Sequence, residues 1–174
     1  DGKELCGTDH PLTNGATFAN EPSTAADLNE TSLEDALIKI AGFVDERGLI
    51  VALRGMKLII PRQLQFVAER IMNSTLRVGT PDNDANALKN MGMLPEGYVV
   101  TNYLTDTDAF FIMTDAPNGM MMFQRSPITP QIEGDLDTGN VQYNARSRNT
   151  FEFSDSRGTV GSQQAHNYSL TGAA

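Results

Sequence analysis

Two stretches with apolar residues at helical spacing bracket a run of β-prone residues, and this helix–strand–helix order most constrains the fold. Leu33, Ala36, Leu37, Ile40 and Val44 share one face of the first stretch, and Leu64, Val67, Ala68, Ile71 and Met72 one face of the second. Such faces are buried only against another layer, so the spacing predicts a core in which the two helices cover a sheet. At 174 residues the chain has the length of about one domain, or one and part of another, and can bury a core without staples.

Overlapping capping boxes, Thr31 with Glu34 and Ser32 with Asp35, place the first helix at about 32–46, with Gly48 as a left-handed C-terminal cap. Pro61 suits the first turn of the second helix, which runs to about Asn73. Leu49–Leu53 and Met56–Ile60 flank Arg54-Gly55 and predict a short hairpin or strand pair. Strands are also expected at Gly97–Thr101 and Asp108–Thr114. Asn118-Gly119 supplies positive-φ residues for a hairpin between Phe110–Met113 and Gly119–Phe123. Met120, Met121 and Met122 then read as gap-fillers of a core strand. Arg77–Asn90 reads as a surface loop, and the texture changes beyond Pro127 and Pro130. Val141, Tyr143 and Ala145 alternate with Gln142, Asn144 and Arg146, which predicts a half-exposed antiparallel strand within 139–153. The first 30 residues are turn-rich and poor in apolar positions, so they are expected to lie over something else. The polar tail after Gly161 is expected to be frayed or docked by a neighbour.

Charge and motifs exclude more than they assign. A net charge of −9, with no basic tail, argues against attraction to nucleic-acid phosphates. No apolar run reaches the ~20 residues that span a bilayer, and one cysteine, Cys6, allows no internal disulfide. Phosphate-cradling glycine loops are missing from the sequence. His10 and His166 stand at opposite ends without zinc-site spacing, and Glu133, Asp135 and Asp137 lack the rest of a calcium loop, so no metal or cofactor is expected. Asp137-Thr138-Gly139 is the tripeptide that carries the aspartic-protease carboxylate, but one copy requires a dimer and the flanking residues are polar, so an ordinary turn is the simpler reading. No catalytic residue is assigned. What remains is a structural or interaction protein.

Leu58-Ile59-Ile60-Pro61-Arg62-Gln63-Leu64-Gln65-Phe66-Val67-Ala68-Glu69-Arg70-Ile71 and Tyr103-Leu104-Thr105-Asp106-Thr107-Asp108-Ala109-Phe110-Phe111 resemble stretches of the major capsid proteins of tailed double-stranded DNA phages. Asp137-Thr138-Gly139-Asn140, Tyr143, Ala145-Arg146, Arg148, Phe151, Asp155, Arg157-Gly158 and Gly161-Ser162 resemble the C-terminal strand and turn of the Mu-type and marine-phage shell subunits. Asp1-Gly2-Lys3-Glu4-Leu5 with His10-Pro11 fits the stretch before the first helix there. Cys6 stands where an aromatic is usual, and Glu152 and Ser154 replace part of a glycine-containing turn.

The resemblance implies an α+β fold of the Hong Kong 97 type, an axial domain plus part of the peripheral domain. It divides the chain into an extended segment at 1–27, an axial core at 28–125, peripheral strands at 126–165 and a flexible tail at 166–174. Nothing in the sequence looks like the arm, extended loop or spine helix of that fold, so the chain is expected to be the C-terminal part of a longer subunit. The implied function is a major capsid protein that self-assembles as pentamers and hexamers into an icosahedral shell around phage DNA, without sequence-specific DNA binding. Other virion proteins are its further partners, no membrane is involved, and the location is the virion, assembled in the bacterial cytoplasm. An encapsulin-like compartment and, from another class, a dimeric aspartic protease using Asp137 are the alternatives. Arg146, Arg148, Asp155 and Arg157 are the candidate inter-subunit contacts.

Overall fold

The computed structural model describes residues 2–22, 25–77, 84–134 and 139–162. Helix α1 spans Glu30–Ala41, starting and stopping earlier than the expected 32–46. Asn29 is its N-cap: the Asn29 side chain accepts from the Ser32 amide at 2.8 Å, and the Ser32 hydroxyl accepts from the Asn29 amide at 3.0 Å. Gly42 ends the helix by donating its N–H to the last-turn carbonyls. Gly48 therefore does not cap it. With φ of 86° it closes a turn in which the Asp45 carboxylate accepts from the amides of Arg47 and Leu49.

Strand β1 (His10–Pro11) pairs with β2 (Thr17–Phe18) as a small hairpin of the N-terminal segment. The body is built around strand β3 (Gly55–Pro61), which hands the chain through a 3-10 turn at Arg62–Leu64 into helix α2 (Gln65–Asn73). The hairpin expected across Arg54-Gly55 does not form. Val44 bridges Ile50 instead, and Gly55 lies inside β3, where Leu37, Ile112 and Leu94 crowd so closely that a side chain has no room. The span expected to be one loop at 77–90 contains the start of helix α3 (Ala87–Met91), capped by the buried Asn86 side chain.

Strands β4 (Tyr98–Thr101) and β5 (Phe111–Thr114) flank β3, parallel and antiparallel respectively. A last short strand, Thr159–Gly161, pairs antiparallel with β5 and completes a four-stranded sheet. Leu33, Leu37, Ile40, Leu58, Ile60, Ala68, Ile71, Ile112 and Val160 are buried in one core, with Val44, Leu64 and Val67 packed against it. The two helical stripes therefore do meet a shared core with the sheet.

The chain leaves this sheet after β5 to form an arm. Strand β6 (Met120–Gly134) pairs with β7 (Val141–Phe153) along nearly its whole length in a separate two-stranded ribbon. At ~3.3 Å per residue the arm is roughly 40 Å long. The hairpin expected between Phe110–Met113 and Gly119–Phe123 is thus replaced: Asn118, with φ of 61°, turns the chain out of one sheet and into another. Pro127 and Pro130 do not end a strand. Pro127 sits in β6 where its register with β7 shifts, between Ser126 and Thr129, and Pro130 follows in regular register opposite Ala145; a two-stranded ribbon has free edges on which a missing N–H is tolerated. Numbered in chain order, Thr159–Gly161 is β8. The acidic turn at 135–138, including Asp135 and Asp137, and the tail at 163–174, including His166, lie outside the described residues.

Candidate assembly surface

Cross-strand partners on a ribbon share a face. Val141, Tyr143, Ala145 and Phe151 of β7 stand opposite Gly134, Ile132, Pro130 and Met122 of β6, and Phe153 opposite Met120. That face is apolar at the root and at the tip of the arm, where Met120, Met122, Ile132, Val141, Tyr143 and Phe151 are 54–76% exposed, and polar between them, where Gln124 stands opposite Asn149. The methionines expected in a core strand are thus surface residues, Met121 being half-buried. The opposite face carries Gln142, Asn144, Arg146, Arg148, Thr150 and Glu152, polar toward the tip, with Phe123 and Met121 of β6 opposite Thr150 and Glu152 at the root. Arg146 pairs across with Thr129 and Arg148 with Ser126, both arginines exposed on that polar face. Among the described residues of the arm, Arg125, Arg146 and Arg148 outnumber Glu133 and Glu152, so the excess negative charge resides in the body.

Where the arm meets the body, two glycines pack backbone to backbone. A Cβ built on Gly158 lies 2.5 Å from the Gly119 Cα, so neither position has space for one. Ser154 and Asp155 donate their amides to the carbonyls of Gly119 and Asn118, fixing the end of β7 to the start of β6. Beside this joint lies Arg157, nearly buried. Its Nε donates to the Val44 carbonyl at 2.6 Å, its other nitrogens reach Asp155 at 3.1 Å and Glu46 at 3.0 Å, and its guanidinium lies 5.1 Å from the centre of the Phe18 ring. That hydrogen bond holds the Glu46 carboxyl below its usual range. Asp155 and Arg157 therefore sit together inside the chain, whereas Arg146 and Arg148 stand out on the arm.

The N-terminal segment straps over the same joint. Asn20, fully buried, accepts from the Gly7 amide at 2.8 Å and directs its side-chain NH₂ at the carbonyls of Leu5, Ser156 and Thr159, at 2.7–2.9 Å. No local signal marked this residue, because its partners at the C-terminal turn are more than 130 residues away. Cys6 lies against Gly161, and burial, reinforced by Glu21, pushes its thiol up to about 12. Such a thiol is a poor nucleophile at neutral pH. Among the described residues no three His, Cys, Asp or Glu side chains gather to hold a metal, and no helix is long and apolar enough to cross a membrane.

No family model matches the chain, and no curated protein does. Solved structures do. A virus-like particle from Pyrococcus furiosus aligns at a TM-score of 0.49 and 13% identity, over 82% of this chain and 55% of that one. The satellite phage P4 procapsid including its size determination protein aligns at 0.40 and 14%, over 86% and 44%. A phage-related protein from Bordetella bronchiseptica aligns at 0.42 and 15%, over 77% and 50%. The chain thus spans about half the length of the solved structures it matches.

Proposed function

We propose that the chain is part of a shell-forming subunit, a major capsid protein of a tailed phage, that assembles with copies of itself into a closed particle. The observation that carries this reading is the arm: a ribbon of roughly 40 Å, with exposed apolar side chains clustered on one face at its root and its tip, projects from a body that has its own core. A lone two-stranded ribbon is marginally stable in water, so the exposed apolar clusters call for further surface in the assembled state. The sequence blocks shared with the tailed-phage shell proteins support the same reading. The sheet and its helices then form the axial part of the subunit and the arm its peripheral part, which moves the expected boundary from 125/126 to Met120 and assigns Thr159–Gly161, within the expected peripheral span 126–165, to the axial sheet.

Charge gives the contact a direction. Arg146 and Arg148 on the arm complement the acidic body of a neighbouring copy, and planar guanidinium forks fix an angle between subunits better than lysine does. An acidic lining would also repel packaged phosphates and let a genome move without sticking. Closed symmetric assembly into pentamers and hexamers follows from many such repeated contacts. Negative-stain electron microscopy of the complete subunit tests the proposal. Closed particles containing DNA support a capsid, closed particles containing protein cargo point to a compartment shell, and a monomer at assembly concentrations overturns both.

A further inference from the structure

A histidine is buried where the strap, the body and the arm converge. His10 is 2% exposed, its ring 6.2 Å from that of Phe18 and 6.4 Å, edge-on, from that of Phe153, the last residue of β7. Phe18 in turn packs on Phe43 of the body at 4.8 Å and carries the Arg157 guanidinium on its face. The strap is held to the C-terminal turn by polar contacts that pass through Asn20, including the Gly161 amide, which donates to the Asn20 carbonyl.

We propose that residues 2–22 are an acid-released clasp on the root of the arm, held shut while His10 is neutral and loosened when it takes a proton. The charges around the ring are mixed. Asp9 and Glu21 favour the proton, as does a hydrogen bond with Asn20, while Lys3 opposes it. Arg157, committed to Asp155 and Glu46, adds a fixed cation across the Phe18 ring. Burial outweighs the favourable terms and holds the imidazole below the ordinary histidine range of about 6.5. An opened clasp exposes the ring to water, where it regains that value. The open form therefore binds more protons, so closure is most stable above pH ~6.5 and is lost as pH falls through the folded value. The clasp belongs to this chain alone, so it holds whether or not the subunit builds a shell.

Backbone amide exchange at pH 7.5 and 5.5, corrected for intrinsic rates, tests it. The amides of Gly7, Asn20 and Gly161 report the clasp, and those of α2 the body. The clasp amides should lose protection at pH 5.5 relative to α2, by at most about tenfold, the ceiling set by a histidine whose free value is about 6.5. His10→Gln, polar but not titrating here, should remove the step, and His166→Gln should leave it. Where the glutamine variant fails to fold, His10→Phe keeps the ring contacts and must also lose the step. Equal protection at both pH values in the wild type, or a step that survives in the His10 variants, overturns the clasp.

Discussion

Arg157 joins residues that the sequence keeps 111 and 113 positions apart, Glu46 and the Val44 carbonyl, and stacks on an aromatic ring while doing so. Removing it leaves the Val44 carbonyl and the half-buried Asp155 carboxylate without a donor, whereas Glu46, more than half exposed, regains water. Arg157→Ala should therefore lose about 1–2 kcal/mol in urea unfolding at pH 7, and Arg157→Lys should recover only part, since an ammonium cannot reach all three groups at once. A loss below ~0.5 kcal/mol in the alanine variant would mean that the joint does not depend on this side chain. The same residue shapes the acid limb. Glu46 is held down chiefly by Arg157, and Asp45 by the Leu49 amide, so both stabilise the fold above their ordinary values of 4.5 and 3.8 and lose that contribution as pH falls through the lower folded ones. In Arg157→Ala the fall in melting temperature below pH ~4.5 should be shallower than in the wild type, a comparison read by thermal denaturation across pH 3–6. The sequence drew attention to Arg157 only through a family resemblance. Its actual partners carry no local signature, because a contact between distant segments leaves no spacing to read.

Elements defined by their own periodicity were legible, and elements defined by their partners were not. Both helical stripes follow from residue spacing, since burial on one face repeats with the local geometry; β7 alternates as a strand should, but the half-exposed strand expected there is exposed on both faces up to Phe153, because it pairs only with β6. The partner of β7 was hidden, because Pro127 and Pro130 break the usual strand pattern, yet Pro127 falls at a register shift and Pro130 pairs with Ala145 in a ribbon that has free edges. Likewise Asn118-Gly119 has the chemistry of a hairpin turn, but turn chemistry fixes a backbone conformation and not which strands it joins. The buried stripes allow a direct test: Leu37→Ala and Ile71→Ala should each cost ~2–5 kcal/mol as cavity-forming changes, read by urea unfolding. Losses under half a kcal/mol at both sites would remove the helices from the core. Two glycines separate two kinds of crowding. In Gly158→Ala the new methyl meets Gly119 backbone, which cannot yield, whereas in Gly55→Ala it first meets the end of the Leu37 side chain. Gly158→Ala should therefore be the more destabilising, by ~1–3 kcal/mol, and should raise amide exchange at Ser154 and Asp155. An equal or smaller cost than at Gly55 would show that the joint has slack.

At the scale of the whole molecule, an acidic body with a packed core carries a nearly neutral arm with almost no core of its own. The sequence made the body predictable, because helix, strand and core follow from apolar spacing, and it made the polarity of β7 predictable for the same reason. What it could not show is that β7 leaves the body, since the alternation reads identically on a sheet that faces water and on one that faces another subunit. This division puts the decisive experiment on the arm. Arg146 and Arg148 share its polar face and lie where substitutions disturb neither the core nor the joint. Charge reversal at both, Arg146→Glu with Arg148→Glu, should leave the circular dichroism and melting temperature of the subunit within error of wild type, since exposed surface changes rarely exceed about half a kcal/mol. Assembly is another matter. If the pair meets the acidic surface of a neighbouring copy, two carboxylates there turn attraction into repulsion at every repeated interface, and the many small penalties add around a closed shell. The complete subunit carrying both changes should then sediment as unassembled protein under conditions in which the wild type forms particles, and raising salt should partly restore assembly by screening the repulsion. Particles of normal size and yield from the double variant at low salt would place the contacts elsewhere, leaving the apolar clusters of the arm as the surface that neighbours use.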